Sequence, residues 1–378
     1  RTLPLSWRRL LATFLAKDLV YYVALFVTPV VLGLAPLVLG DGGPTGLAWL
    51  WLSAAGTFSL GAAASLSLVG LATRSRLLLV AAVAAVAGLF VAGVDLVGYT
   101  PYGAYLDPSL AGALRGFVPT IALAILAPFV FEPGGESRRQ ARRVDRDTYG
   151  RLRSRLGDDA AASLTVRPLL EVARSSGSVW KVAFSLGILF AVAVFLLDRV
   201  AAATALRPHA GIAVGGLLGL GSFTTYNWVT SLDDPREYLR YPVDYGTILA
   251  GKRRTYLLLT LPAGLAYLAL AAVWYPVAEL AVGLLVFPPI AVYVFGLTAY
   301  LTGLAPNELL FDTPLFALFG LGLAIVAVPV LVLALAAGQY PTLGPLLAVG
   351  ISLVAALVGV GLHRLSGPRW DARLRASG

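Results

Sequence analysis

Cysteine and methionine are both absent from this chain of 378 residues, and histidine occurs only twice, as His209 and His363. Without cysteine there is no disulfide, no thiolate metal site and no cysteine nucleophile. Two histidines so far apart in sequence argue against a histidine-based metal centre, and no cofactor or metal is expected. The lack of methionine, even at position 1, leads to the expectation that the sequence is trimmed, edited or incompletely recorded. Charge is scarce as well. Asp, Glu, Lys and Arg together make up 13% of the chain, too little to cover the surface of a soluble protein of this size.

What fills the chain instead is apolar: hydrophobic residues account for 58% and the mean hydropathy is +0.81. The apolar residues form long blocks, and a membrane span needs about 20 of them. Ten spans are predicted, at 19–39, 46–71, 77–97, 117–131, 182–197, 210–230, 255–274, 277–304, 315–336 and 343–362. The first is full length, so it reads as a span and not as a cleavable signal peptide. The eighth contains Pro288-Pro289 and is expected to tilt, kink or break. In this threading 26 of the 29 Lys and Arg residues fall on one side, the exceptions being Arg115, Arg199 and Arg207. The positive-inside rule demands such sorting; a soluble core does not. The predicted fold class is therefore all-α, a polytopic transmembrane helical bundle of about ten spans in the cytoplasmic (plasma) membrane, with both termini cytoplasmic. The net charge of +9 is read as loop arginine setting topology and touching anionic lipids, with no nucleic acid as partner. All seven tryptophans fall near span ends or in interfacial segments, as an aromatic belt requires. Gly215 and Gly219 form a single GxxxG, a weak packing signal in a chain with 40 glycines.

Two amphipathic segments precede spans. Ser6 can cap a helix with Trp7, Leu10, Leu11, Phe14 and Leu15 on one face, the pattern of a helix lying in the interface. A second is expected to begin at Arg167-Pro168 and to run through Leu169, Leu170, Ala173 and Trp180. Each has a Pro thirteen residues before a Lys (Pro4 and Lys17; Pro168 and Lys181), which an internal duplication or a chance similarity of apolar helices would equally produce. The chain thus divides into four regions: an N-terminal membrane half at 1–131, a basic cytoplasmic linker with an interfacial helix at 132–181, a six-span domain at 182–364, and a cytoplasmic tail at 365–378.

The stretch from Asn227 to Arg254 carries the most local information. Asp234-Pro235-Arg236-Glu237 is a helix start, with Asp as cap, Pro at the first helical position and Glu three residues after the cap. Tyr238, Leu239 and Tyr241 give this short helix an apolar side, and Pro242 ends it. Asp244 can cap a further helical turn that leads through Gly251 and Lys252 into the next span. Gly246 to Lys252 also matches the opening of a phosphate-binding P-loop, but Arg253 stands where that loop needs Ser or Thr, and no strand precedes it.

Tyr241-Pro242, a short helical run and Gly251-Lys252 at the mouth of a span resemble the cytoplasmic loop of type-2 ATP-binding-cassette (ABC) exporter permeases. Those proteins have an interfacial helix followed by six spans, with a coupling helix between the second and third; residues 163–364 fit that plan. The resemblance implies that a separate ATP-binding subunit docks on the 231–254 helix, through Asp233, Asp234, Arg236, Glu237 and Arg240. It also leaves room for a homodimer or a second permease as partner. The chain carries no nucleotide-binding motif of its own, so it is expected to be a transport subunit and not an enzyme. Residues 1–131 fit the plan less well, with four spans and only a short loop at 72–76.

Rival readings are a secondary transporter, a membrane-embedded enzyme and a scaffold. The enzyme lacks a motif, and Asp95, Asp198, Glu279 and Asp312 all fall at or near span ends, where a charge reaches water. A secondary transporter would place ionisable groups at a broken helix in mid-membrane, and no charge sits beside Pro288-Pro289. Tyr226, Asn227, Tyr293, Thr298 and Tyr300 are polar groups that could line a substrate path or hydrogen-bond between helices.

Overall fold

The computed structural model describes residues 7–28, 31, 35–130, 148–157, 159–175, 178–203, 207–231, 233, 238, 243–310 and 312–376. All regular structure among these described residues is helical. Contacts divide the chain into two compact units, Arg1–Ala141 and Arg142–Gly378.

The first unit contains α1 (Trp7–Tyr22), a π-helical segment (Val23–Val27), α2 (Ala35–Arg74), α3 (Arg76–Val91), α4 (Pro101–Leu106) and α5 (Leu110–Val130). The interfacial helix and the first span, expected as separate elements, meet without a break at 18–19, because α1 runs on to Tyr22. α2 is kinked at Gly43, whose φ of 60° lies in the left-handed region that glycine tolerates. α2 and α5 are tied at two levels. Trp49 packs on Phe117 with ring centroids 5.9 Å apart, and Arg74 donates to the Phe129 carbonyl at 3.1 Å.

The second unit contains α6 (Thr148–Leu156), α7 (Ala160–Arg174), α8 (Trp180–Ala203), α9 (Ala210–Gly221), α10 (Phe223–Thr230), α11 (Tyr245–Ala271), α12 (Val277–Thr302), a 3-10 turn (Pro306–Leu310), α13 (Thr313–Ala336) and α14 (Leu343–Ala376). α12 is central, packed against α9, α11 and α14. Its Phe295 is a hub, with ring centroids 5.3 Å from Tyr226 of α10, 5.1 Å from Tyr256 of α11 and 5.5 Å from His363 of α14. The outward faces of α13 and α14 are apolar, with Ile325 64% and Leu357 73% exposed, a surface suited to lipid.

Among the described residues, six helices are long and apolar enough to cross a membrane: Gly43–Arg74, Leu110–Val130, Tyr245–Ala271, Val277–Thr302, Thr313–Ala336 and Leu343–Ala376. Leu77–Val91 and Trp180–Phe195 are apolar but shorter. Within the predicted span at 210–230, α9 gives way to α10 at Ser222, whose backbone keeps right-handed helical angles (φ −61°, ψ −15°). The predicted span at 19–39 falls partly on residues outside the described ones.

Three local expectations change. α12 stays one helix through Pro288-Pro289, and the carbonyls freed of partners belong to the exposed Leu284 and Leu285. α7 begins at Ala160 and not at Arg167, because Asp159 caps it by accepting from Ala162 N at 2.6 Å; Pro168 is interior. It also ends at Ser175, short of Trp180, which opens a new helix. Finally, α14 continues the last predicted span through the segment expected as a tail, with His363, Ser366, Gly367 and Trp370 buried along one side. The 132–147 part of the predicted linker lies outside the described residues.

Candidate functional site

The connection between α10 and α11 begins and ends in a buried polar cluster. Asp233, three residues past the end of α10, faces Lys252, in the second turn of α11. Lys252 Nζ lies 2.6 Å from Asp233 Oδ2, and both side chains are almost wholly enclosed. Lys252 also donates to the Val229 carbonyl at 2.9 Å. Tyr238 donates to Asp233 Oδ1 at 2.6 Å. Burial, reinforced by the Asp233 carboxylate, pushes the Tyr238 phenol well above its ordinary pKa, so it stays a donor. A buried carboxylate therefore receives an ammonium and a phenol, the compensation that its desolvation requires.

α7 frames this cluster. Its Arg167 donates to Glu171 one turn on, at 2.9 Å, and the Glu171 carboxylate raises the arginine's pKa. The contact of α7 with α11 depends on Gly251. A Cβ there would lie 2.7 Å from Leu164 Cβ and 2.9 Å from the Leu164 carbonyl carbon, so only glycine lets the two backbones meet. Thr255 Oγ1 donates to the Thr165 carbonyl at 2.8 Å, and Arg254 reaches Asp159, the α7 cap, at 3.4 Å. Lys181, at the start of α8, donates to Ser175 at 2.9 Å and lies 5.3 Å from the Trp228 ring centroid of α10.

The start of α11 is held from its other side by α14. Asp244 caps α11 through Thr247 N at 2.7 Å and Thr247 Oγ1 at 2.7 Å. The Tyr245 hydroxyl accepts from Leu304 N at 3.0 Å, and its ring stacks on Trp370. Trp370 in turn donates to the Ala299 carbonyl at 3.1 Å.

Of the residues that the sequence marks in the 231–254 segment, Asp233, Tyr238 and Lys252 are thus brought together, Gly251 lies at the α7 contact and Asp244 is a helix cap. Asp234, Arg236, Glu237, Arg240, Tyr241 and Pro242 lie outside the described residues. The P-loop match dissolves: Gly246 to Lys252 is helical and the lysine is committed to Asp233. The pairing of Lys252 with Asp233 and the whole framing role of α7 escaped sequence reading, although Asp159 followed by three alanines is a legible cap.

The five residues named for a substrate path disperse. Tyr226 is fully buried and donates to the Gly303 carbonyl. Tyr293 donates to the Gly322 carbonyl at 2.6 Å, beside an apolar groove of about 420 Å³ between α12, α13 and α14. Thr298 donates to Val294 of its own helix at 2.7 Å. Tyr300 carries the Arg369 guanidinium 4.3 Å over its ring. The Asn227 carboxamide oxygen is buried with no hydrogen-bond partner. Among the described residues no group of three or more His, Cys, Asp or Glu side chains is placed to hold a metal ion.

No family model, curated protein or solved structure matches the chain.

Proposed function

We propose that this chain is the membrane-spanning permease subunit of an ABC-type exporter, working with ATP hydrolysed by a separate subunit. The observation that supports it most is the clamp at Asp233, Lys252 and Tyr238. A helix pushed by an ATPase needs a stiff joint to the spans on either side. Here both ends of the loop between α10 and α11 close on one buried ion pair, while α7 and α14 brace the first turns of α11. A flexible connector needs neither feature. In this reading the arginine-rich end faces the cytoplasm together with both termini, the bundle has about ten spans in the cytoplasmic membrane, and Asp234, Arg236, Glu237 and Arg240 face the ATPase.

The test is to purify the chain from native membranes in mild detergent and identify what accompanies it, alongside an Asp234→Ala/Glu237→Ala variant. A stoichiometric ATPase, lost in the variant, is the expected result. No ATPase under conditions that keep other complexes whole would remove the reading.

A secondary transporter is the second reading, favoured by one feature. The ion pair of Asp233 with Lys252 is buried at the junction of α10 and α11. Buried ionisable groups in a membrane protein are candidates for binding a coupled ion. Transport that survives ATP depletion and collapses with the proton or sodium gradient would favour it.

A further inference from the structure

The first turn of α9 meets the start of α12 and the end of α13, and His209 joins all three. Its N–H donates to the Ala334 carbonyl of α13 at 2.7 Å. Its Nδ1 caps α9 by accepting from Ile212 N at 3.4 Å. Glu279 of α12 reaches the same place. Its Oε2 accepts from Ala210 N at 2.9 Å and lies 3.9 Å from His209 Nδ1. Behind this turn the backbones of α9 and α12 touch. A Cβ on Gly211 would overlap the Glu279 carbonyl oxygen, and one on Gly215 would lie 2.8 Å from the Gly283 carbonyl oxygen. Two N–H groups at the start of α9 are thus held by an imidazole and a carboxylate that face each other.

An accepting nitrogen carries no proton, so the neutral ring has its proton on Nε2. Protonation of Nδ1 turns that acceptor into a donor. The Ile212 N–H then loses its partner, and a positive charge stands at the N-terminus of α9, where the helix dipole disfavours it. The Glu279 carboxylate is placed to receive the new N–H, but it is then shared between the imidazolium and Ala210 N. The His209 side chain is 13% exposed, so protons reach it. Burial pushes its pKa below the ordinary value of about 6.5, and the Glu279 carboxylate opposes that shift. With the folded value below the unfolded one, the cap's contribution is complete above about pH 6.5 and is lost as the pH falls through the folded value. Among the described residues the other charge at this junction is Arg207, exposed two residues earlier with its backbone against Gly338. The neighbours from α9 and α13, Ala210, Gly211, Ile212 and Ala334, carry none.

We propose that His209 is an acid-released latch: protonation of Nδ1 removes the cap from Ile212 N, turns the imidazole to Glu279 and frees the first turn of α9 from the start of α12. The device needs a histidine that accepts a bond from a helix N–H while a carboxylate waits beside it, and both conditions are met at this one junction. The latch is independent of the transport reading.

The full chain in neutral detergent micelles would be followed by amide hydrogen exchange from about pH 8 to about pH 5, corrected for the intrinsic effect of pH on exchange. The segment 207–216 reads the latch, and the α11 segment 257–268 is the internal control. His209→Asn keeps a capping acceptor at the position of Nδ1 and does not titrate. His363, the other histidine, is present in both proteins, so their difference reads His209 alone. The unaltered chain should lose protection at 207–216 roughly fivefold on acidification, with the control segment unmoved and H209N insensitive to pH. Glu279→Gln takes away the charge that favours the imidazolium, so its loss of protection should come at lower pH. That shift carries the test even if H209N does not fold. An equal response to acid in H209N, no response in the unaltered chain, or an unshifted response in E279Q overturns the proposal.

Discussion

Lys252 and Asp233 face each other across 2.6 Å in the interior of the second unit, with side chains 1% and 2% exposed. Removing one member of such a pair leaves the other as a buried, uncompensated charge. Lys252→Met and Asp233→Asn should each destabilise by about 3–5 kcal/mol. The double variant should be markedly less damaged than the sum, because Asn keeps an acceptor for Tyr238 and Met brings no charge. Unfolding of all four proteins in detergent measures the coupling. Single-variant losses below about 1 kcal/mol would mean that the pair does not anchor the loop.

Gly251 sets the distance between α7 and α11. Gly251→Ala puts a Cβ against Leu164 backbone that cannot turn aside, so a loss of about 1–3 kcal/mol is expected. Gly350→Ala, on α14 with open space around it, is the matched control and should be neutral or slightly stabilising. Limited proteolysis near residues 157–175 should accelerate in the first variant alone.

Tyr226 donates to the Gly303 carbonyl from a fully buried position. Tyr226→Phe should therefore cost about 1–2 kcal/mol of stability and leave ligand selectivity unchanged. A shift in ligand preference at unchanged melting temperature would return this residue to a substrate path.

The Thr247 hydroxyl and N–H hold the Asp244 carboxyl below the ordinary carboxylate range. Its folded pKa is thus lower than its unfolded value of about 3.9. The cap's contribution is complete above that value and fades as the pH falls through the folded pKa. Asp244→Ala should lower stability by about 1 kcal/mol near neutral pH. The gap between the two proteins should narrow steadily below about pH 4, which melting curves across pH will show.

Much of the helical framework was legible, because an apolar block of twenty residues has few other fates. The Asp244 cap was legible too, since capping is a contact between near neighbours. Errors arose where a local signal had two meanings. Pro168 suits a first helical turn, yet it lies inside α7, whose real start is the Asp159 cap. Of the tilt, kink or break that Pro288-Pro289 suggested, the break does not occur: the helix runs on, with Phe287 and Ile290 packed in the core. Lys252 stood out only as part of a false phosphate-binding motif. Its partner lies nineteen residues away, with the connecting loop between them.

The sequence alone determined that this chain is helical and suited to lipid, because hydropathy and helix length act residue by residue along the chain. Which polar groups meet was decided only by tertiary structure. Asp233 finds Lys252, Thr255 finds the Thr165 carbonyl, and Tyr226 finds the Gly303 carbonyl through helix packing that depends on side chains far apart in sequence. In an apolar interior each such meeting is strongly favoured over an unpaired group, so the fold fixes the chemistry even where the local sequence is silent.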